Sequence, residues 1–479
     1  MAFQTLGYFT FLTLMLGAYY ALPQRFRWAL LLAGSYFFYM CWNAAYALLL
    51  LFSTVVTYGC ALGVGAAKGA RARKGWVVLS LVLNLGILFF FKYYGLFAGT
   101  VSALLGEGAR LPRLDVLLPV GISFYTFQAL GYTIDVYRGE LAPERHFGKY
   151  ALFVSFFPQL VAGPIERSGH LLRQFDEAHR PDPERMRQGA LLILLGLVKK
   201  LVIADHLALV ADRVYASPDA YGAPAVIVAT ACFAFQIYGD FSGYSDIAVG
   251  SAALFGFRLM RNFDRPYFAR SIGEFWRRWH ISLSSWFRDY VYIPLGGSRV
   301  SLGRWALNIL TVFLLSGLWH GAAWTFAAWG LLNGLYQVAG RLTRPVRERL
   351  WTRMGARPES RVRACAAMLC TFALTVFAWV FFRAESLAQA GALCRTLWNG
   401  WELQTLARLI REVNGSECLL MALLVAGWML LEALGPRRME ESFFHLPLAA
   451  RWALSFALLF LLILFGKYNE SPAFLYFQF

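Results

Sequence analysis

Runs of apolar residues recur along the whole chain, near 3–22, 28–42, 44–66, 76–98, 116–136, 150–163, 189–211, 224–256, 306–319, 322–340, 364–382, 418–434 and 449–466. Inside a bilayer a chain must satisfy its own backbone polar groups, and helices built from such runs do so. Not every run is expected to cross. The 150–163 run ends in Pro158 and Gly163-Pro164. It is too short for ~30 Å of hydrocarbon, so a re-entrant or half-buried element is expected there. The 189–211 run carries Lys199-Lys200 at its middle. Lysines facing lipid at that depth are costly, so the pair is expected at an interface or in a wet cavity. The first run has no basic stretch before it and no small-residue cleavage site after it, and reads as a membrane segment. The pattern predicts an all-α, polytopic integral membrane protein of about 11 transmembrane helices, with re-entrant and interfacial helices besides. No long polar stretch separates a soluble domain, so residues 1–479 are expected to form a single membrane domain.

Composition agrees. Residues of the apolar set make up 58% of the 479 and charged residues only 15%, against roughly 25% charged in an average soluble domain. A soluble globule of this size has too little interior for so many apolar side chains. A soluble enzyme, a disordered chain and a disulfide scaffold are excluded. The net charge is +17, from 45 Lys+Arg and 28 Asp+Glu. No basic stretch is long and free of membrane segments, so the excess points to anionic lipid and not to nucleic acid. The 341–363 stretch holds eight arginines against two glutamates, and basic residues also follow the first and third runs. Placing all three inside puts the N-terminus in the periplasm of a bacterial inner membrane. The seven cysteines are scattered with no C-x-x-C, and no H-E-x-x-H occurs, so no metal site is expected.

Candidate chemistry concentrates in 236–329, which also holds seven of the 16 tryptophans. Asp240 and Asp246 lie within an apolar run, where carboxylates are expensive and mark a function or a structural pair. The bland alternative satisfies them within a Ser242-Gly243-Tyr244-Ser245 turn. Residues 274–290 read as one aromatic, cationic helix suited to a membrane interface. On it Arg277, His280, Ser284 and Arg288 fall on one stripe, at steps of three, four and four. His320 ends another apolar run within Leu318-Trp319-His320-Gly321. A lone histidine there is more often a core residue than a catalyst. No G-x-S-x-G elbow, no H-x-x-x-x-D pattern and no phosphate-binding glycine loop is present.

Long, ordered motifs carry a resemblance. They are Leu118 to Tyr125, Ile134-Asp135-Val136-Tyr137-Arg138-Gly139, and Phe157-Pro158 through Gly163-Pro164-Ile165. Lys199-Lys200 through Asp205, Asp240 to Asp246, Phe275 to Ser284, Leu295-Gly296-Gly297 and Leu318 to Gly321 follow. Over most of 1–385 the sequence resembles the membrane-bound O-acyltransferase family, in its bacterial polysaccharide O-acetyltransferase branch. Residues 386–479, expected to form C-terminal amphipathic and transmembrane helices, match only in the ending Phe477-Gln478-Phe479.

The resemblance implies a central funnel open to the cytoplasm, with His320 as the essential histidine and His280 as a second one beside it. It implies acetyl-CoA as the acyl-donor substrate, with no tightly bound cofactor. Imidazole titrates near the working pH and suits deprotonation of a hydroxyl. Arg277, Arg288 or His280 would polarise the thioester. Ser284, Asp240, Asp246 and Trp319 complete the expected substrate-binding set. Acetyl groups would pass outward to a periplasmic esterase-like partner with a Ser-His-Asp triad, working with exopolysaccharide synthesis machinery. Alginate, cellulose, peptidoglycan and other polymers all remain as acceptors. D-alanyl transfer to teichoic acid from a carrier-protein thioester, and a transporter without transferase chemistry, are the competing readings.

Overall fold

The computed structural model describes residues 1–106, 111–112, 114, 116–357, 359–435, 442–468 and 474–475. Among them every regular element is helical. Among the described residues, seven helices are long and apolar enough to cross a membrane: Tyr46–Ala66, Ala70–Leu105, Ala223–Leu254, Leu302–His320, Arg361–Arg383, Gly415–Leu434 and Leu448–Phe465. The expected count of about 11 is not reached by this measure. Several apolar runs fold into shorter helices, such as Leu6–Ala21 with 16 residues and Gln24–Met40 and Ile122–Arg138 with 17 each.

Contacts divide the chain into two compact units, Met1–Gly196 with Tyr244–Arg261, and Leu197–Gly243 with Asn262–Phe479. The first unit is centred on Ile122–Arg138, which is buried on nearly every face. Its last turn closes at Gly139 (φ +76), whose left-handed backbone lets Glu140 N–H donate to the Asp135 carbonyl at 3.0 Å. Buried hydroxyls and amides tie the neighbouring helices together. Ser53 donates to Asn84 at 2.6 Å and Tyr150 to Thr57 at 2.7 Å, the side-chain bonding that replaces hydrophobic drive inside a bilayer. The 150–163 region is fully buried within the protein. Helix Phe147–Ser155 stops at Phe156, and a single turn, Phe157–Leu160, follows. Gln128 and Gln159 both donate to the Phe153 carbonyl that the break leaves open, at 2.6 and 2.8 Å.

In the second unit, Lys200 overturns its expected placement. It lies in a π-helical turn, Val198–Ala204, and is 4% exposed. Its ammonium sits 2.8 Å from both Asp205 and Asp240. Two carboxylates meet the cost of burying this cation, so no water-filled surrounding is required. Nor is there a turn at Ser242 to Ser245, because Ala223–Leu254 is one continuous helix.

The Leu302–His320 and Trp324–Leu342 helices form a hairpin with a three-residue turn. Their backbones meet at glycines. A Cβ on Gly317 would lie 2.2 Å from the Phe326 carbonyl oxygen, and one on Gly330 would lie 2.2 Å from that of Phe313. Small residues permit this approach. Gly330→Ala is therefore expected to part the helices and destabilise the protein by about 1–3 kcal/mol. Gly340→Ala, on the same helix with nothing within 4 Å of its Cβ position, is expected to be silent. Thermal unfolding of both variants in detergent tests this, and equal melting temperatures would remove the glycine contact as the determinant.

Candidate active site

His320 is the last residue of Leu302–His320, and the extended backbone of Gly321 ends the helix. The glycine contact brings Trp329 of the partner helix beside it. The two rings stand perpendicular with centroids 5.1 Å apart. Phe382, from Arg361–Arg383, lies 5.5 Å away, and Trp319 lies 5.1 Å away. The imidazole is thus held in an aromatic box and is 3% exposed.

His280 arrives from a different element. Helix Ile272–Arg278 begins with a capping pair. Ser271 accepts from Glu274 N–H at 3.2 Å, and Glu274 accepts from Arg270 N–H at 2.8 Å. The helix stops at Trp279, which is extended, and His280 takes left-handed backbone angles, φ 43 and ψ 56. A second short helix, Ile281–Phe287, then begins. Left-handed backbone costs a residue with a Cβ about 1–2 kcal/mol, and such strain gathers at functional sites. The His280 ring is fully buried against Phe241 at 4.6 Å and Trp319 at 5.7 Å. It stands 6.1 Å from the ring of His320, centroid to centroid. Burial pushes the His280 imidazole down to about 3. A ring so shifted is neutral at physiological pH and offers a partner hydrogen bonds, not a standing charge.

The structure brings His320, His280 and Trp319 together, and it separates the rest of the expected set. The 274–290 stretch is two helices joined by a break, so the stripe of Arg277, His280, Ser284 and Arg288 does not exist. The break at Trp279–His280 turns the histidine inward while Arg277 and Arg288 remain exposed. Arg288 is engaged with Asp289 at 2.7 Å. Ser284 donates to the Trp279 carbonyl at 3.2 Å and so supports the break. Asp240 pairs with Lys200 and accepts from Leu475 N–H at 2.8 Å, so its carboxylate is engaged within the scaffold. Asp246 lies in the first unit and is half-buried. Phe477-Gln478-Phe479 lie outside the described residues.

Other residues of the site escaped the sequence reading. Phe241, Trp329 and Phe382 form its walls. Asn262 and Ser282, both buried, lie behind His280 and bond to each other at 2.6 Å. The clustered tryptophans were the available signal for the walls. Asn262 stands among Arg258, Arg261, Asp264 and Arg265, so no local pattern marked it as the support.

The geometry can be set beside known proteins. The sequence profile of the membrane-bound O-acyltransferase family matches residues 140–382, which include both histidines. The chain is 38% identical over 449 residues to the probable alginate O-acetylase AlgI of Pseudomonas aeruginosa, covering 92% of this chain and 82% of that one. It is 36% identical over 411 residues to the peptidoglycan O-acetyltransferase of Helicobacter pylori, covering 80% and 75%. It is 32% identical over 234 residues to the teichoic acid D-alanyltransferase of Streptococcus thermophilus, covering 45% and 55%. A multi-pass helical chain, matched by the profile across both histidines and aligned over most of its length, belongs to the membrane-bound O-acyltransferase family.

Proposed function

We propose that this protein is an acetyl-CoA-dependent O-acetyltransferase of a bacterial inner membrane, serving an exported polysaccharide. The observation that carries the reading is the pair of buried imidazoles 6.1 Å apart in a box of aromatic rings. Such a site excludes water, which would hydrolyse a thioester unproductively. His320 takes the proton of the acceptor hydroxyl as its oxygen attacks the acetyl carbonyl. Neutral His280 donates a hydrogen bond to the carbonyl oxygen as charge develops there. The C–S bond breaks, the acetyl group leaves on the acceptor oxygen, and the thiolate recovers the proton from His320.

Position supports the direction of transfer. The hairpin turn holds His320, and the arginine-rich 341–363 stretch begins at the other end of the Trp324–Leu342 helix. The antiparallel Leu302–His320 helix, one of the seven apolar enough to cross, has 19 residues and is about 28 Å long, close to one hydrocarbon thickness. With the arginines in the cytoplasm, the donor reaches deep to meet His320 and the acetyl group has a short way outward. A periplasmic N-terminus belongs to the same topology. The outward acceptor is a periplasmic esterase-like acetyltransferase that hands acetyl to the polymer. Acetyl transfer is preferred to D-alanyl transfer because the similarity to the two O-acetylating relatives covers 80% or more of this chain, and the D-alanyltransferase match covers 45%.

Purified protein in detergent is expected to release free CoA from acetyl-CoA when an acceptor is supplied. A transporter without transferase chemistry would release none, and that result would overturn the proposal. The topology has its own test. Met354, within the arginine-rich stretch, is 72% exposed. In a cysteine-free background, Met354→Cys is expected to resist a membrane-impermeant maleimide in intact spheroplasts and to react after lysis. Ready labelling of intact spheroplasts would reverse the assigned donor side.

A further inference from the structure

We infer that Asn262 and Ser282 are positioning residues that hold His280 in its left-handed conformation and so direct its imidazole toward His320. The inference rests on the acyl-transfer reading of His280 and extends it to residues that do not touch substrate.

Left to local preference, residues 272–287 would run on as one helix. Neither glycine nor proline occurs at 279–280, and the charged and aromatic spacing suits a continuous turn. Something outside the segment therefore makes the break. The short stretch 262–264 supplies it by bonding on both sides of Trp279–His280. On one side, Asp264 N–H donates to the Arg278 carbonyl at 2.9 Å. On the other, Ile281 N–H donates to the Asn262 carbonyl at 2.9 Å. The Asn262 side-chain oxygen accepts from the Ser282 hydroxyl at 2.6 Å and from Ser282 N–H at 3.4 Å. The first turn of Ile281–Phe287 has free N–H groups by construction, and Asn262 takes up two of them.

Positive φ at non-glycine residues is confined, among the described residues, to Arg265, His280 and Asn414. Two of these three flank this one clamp. Arg265 stands at its far end, where its carbonyl accepts from the Arg278 guanidinium at 3.3 Å. Phe263, between the bonding residues, packs on Trp279 at 5.1 Å and on Phe241 at 5.0 Å. Phe241 is the ring against His280, so the same stretch sets the backbone of the histidine and backs its wall. Asn262 and Ser282 are 1% and 0% exposed. With water excluded, losing either side chain removes their mutual bond and leaves the break held by the two backbone bonds alone, so the His280 backbone is less firmly fixed.

The test reads kcat and KM for acetyl-CoA from CoA release, together with melting temperature in detergent. Asn262→Ala is expected to lower kcat by ~10- to 100-fold, with KM for the donor nearly unchanged, because the imidazole is misplaced and not removed. Ser282→Ala is expected to act in the same direction, and Ser282→Thr, which keeps the hydroxyl, to recover most of the activity. The double variant Asn262→Ala/His280→Ala is expected to be no slower than His280→Ala alone, since the clamp works through that ring. A purely structural role would instead lower the melting temperature and multiply the two losses. If Asn262→Ala does not fold, the Ser282→Ala and Ser282→Thr pair decides, and equal activity in both overturns the clamp. Wild-type turnover in His280→Ala would bring down the acyl-transfer role of His280 itself. A slow His280→Ala beside fast Asn262→Ala and Ser282→Ala would bring down only the clamp.

Discussion

Replacing His320 with alanine is expected to lower CoA release from acetyl-CoA by ~10²- to 10⁴-fold, the range lost with a positioned general base. No other nucleophile or base pattern is present in the sequence, and His280, whose proton affinity burial lowers, is a poor substitute base. The packing adds a consequence that the sequence does not suggest. His320 is enclosed by Trp319, Trp329 and Phe382, so alanine leaves a cavity and costs about 1–3 kcal/mol of stability. His320→Gln fills more of that space and cannot act as a base. It is expected to melt closer to wild type and to be as inactive as the alanine variant. CoA release and thermal unfolding, measured on the same detergent preparations, separate the two effects. Wild-type turnover in either variant would remove His320 from the chemistry.

Lys200→Met is expected to cause the largest loss of stability, about 3–5 kcal/mol. The ammonium at 2.8 Å from Asp205 and Asp240 is the cation both carboxylates share. Methionine stands in for the aliphatic stem and removes the ammonium, which leaves two buried acids without their shared cation. Asp240→Asn is expected to cost less, because Lys200 keeps Asp205 as a partner. Activity should fall with stability in Lys200→Met. Asp240 immediately precedes Phe241, which packs on His280, so loosening this anchor loosens the wall of the site. Thermal unfolding in detergent checks the order of the two variants. A Lys200→Met protein that melts with the wild type would show that the triad contributes nothing to holding the fold.

The membrane class was legible because it depends on composition and run length alone. Fifty-eight per cent apolar residues in recurring runs leave no soluble solution, whatever the packing. His320 was legible for a similar reason. It stands at the end of an apolar run within a motif of the family, and the structure puts it at the end of a helix, just before the turn of a hairpin.

What the local pattern could not carry was long-range pairing. A wheel drawn through 274–290 assumes that the helix continues, and its continuation depends on Asn262, which lies outside the segment. The backbone bonds from 262–264 outweigh local helix preference, and the stripe of arginines around His280 dissolves with the helix. The meaning of Asp240 turned in the same way. In sequence it is a carboxylate alone in an apolar run, and a ligand contact is a fair expectation. Its partner is 40 residues away at Lys200, and only folding reveals that the charge is already met. The sequence by itself determined the solvent in which this protein folds and singled out the two imidazoles that the structure brings together. The tertiary structure alone decided which of the surrounding charges face those imidazoles and which are spent holding the scaffold. Periodicity reports the face of one helix, whereas a buried charge is balanced by whatever side chain a distant segment brings to it.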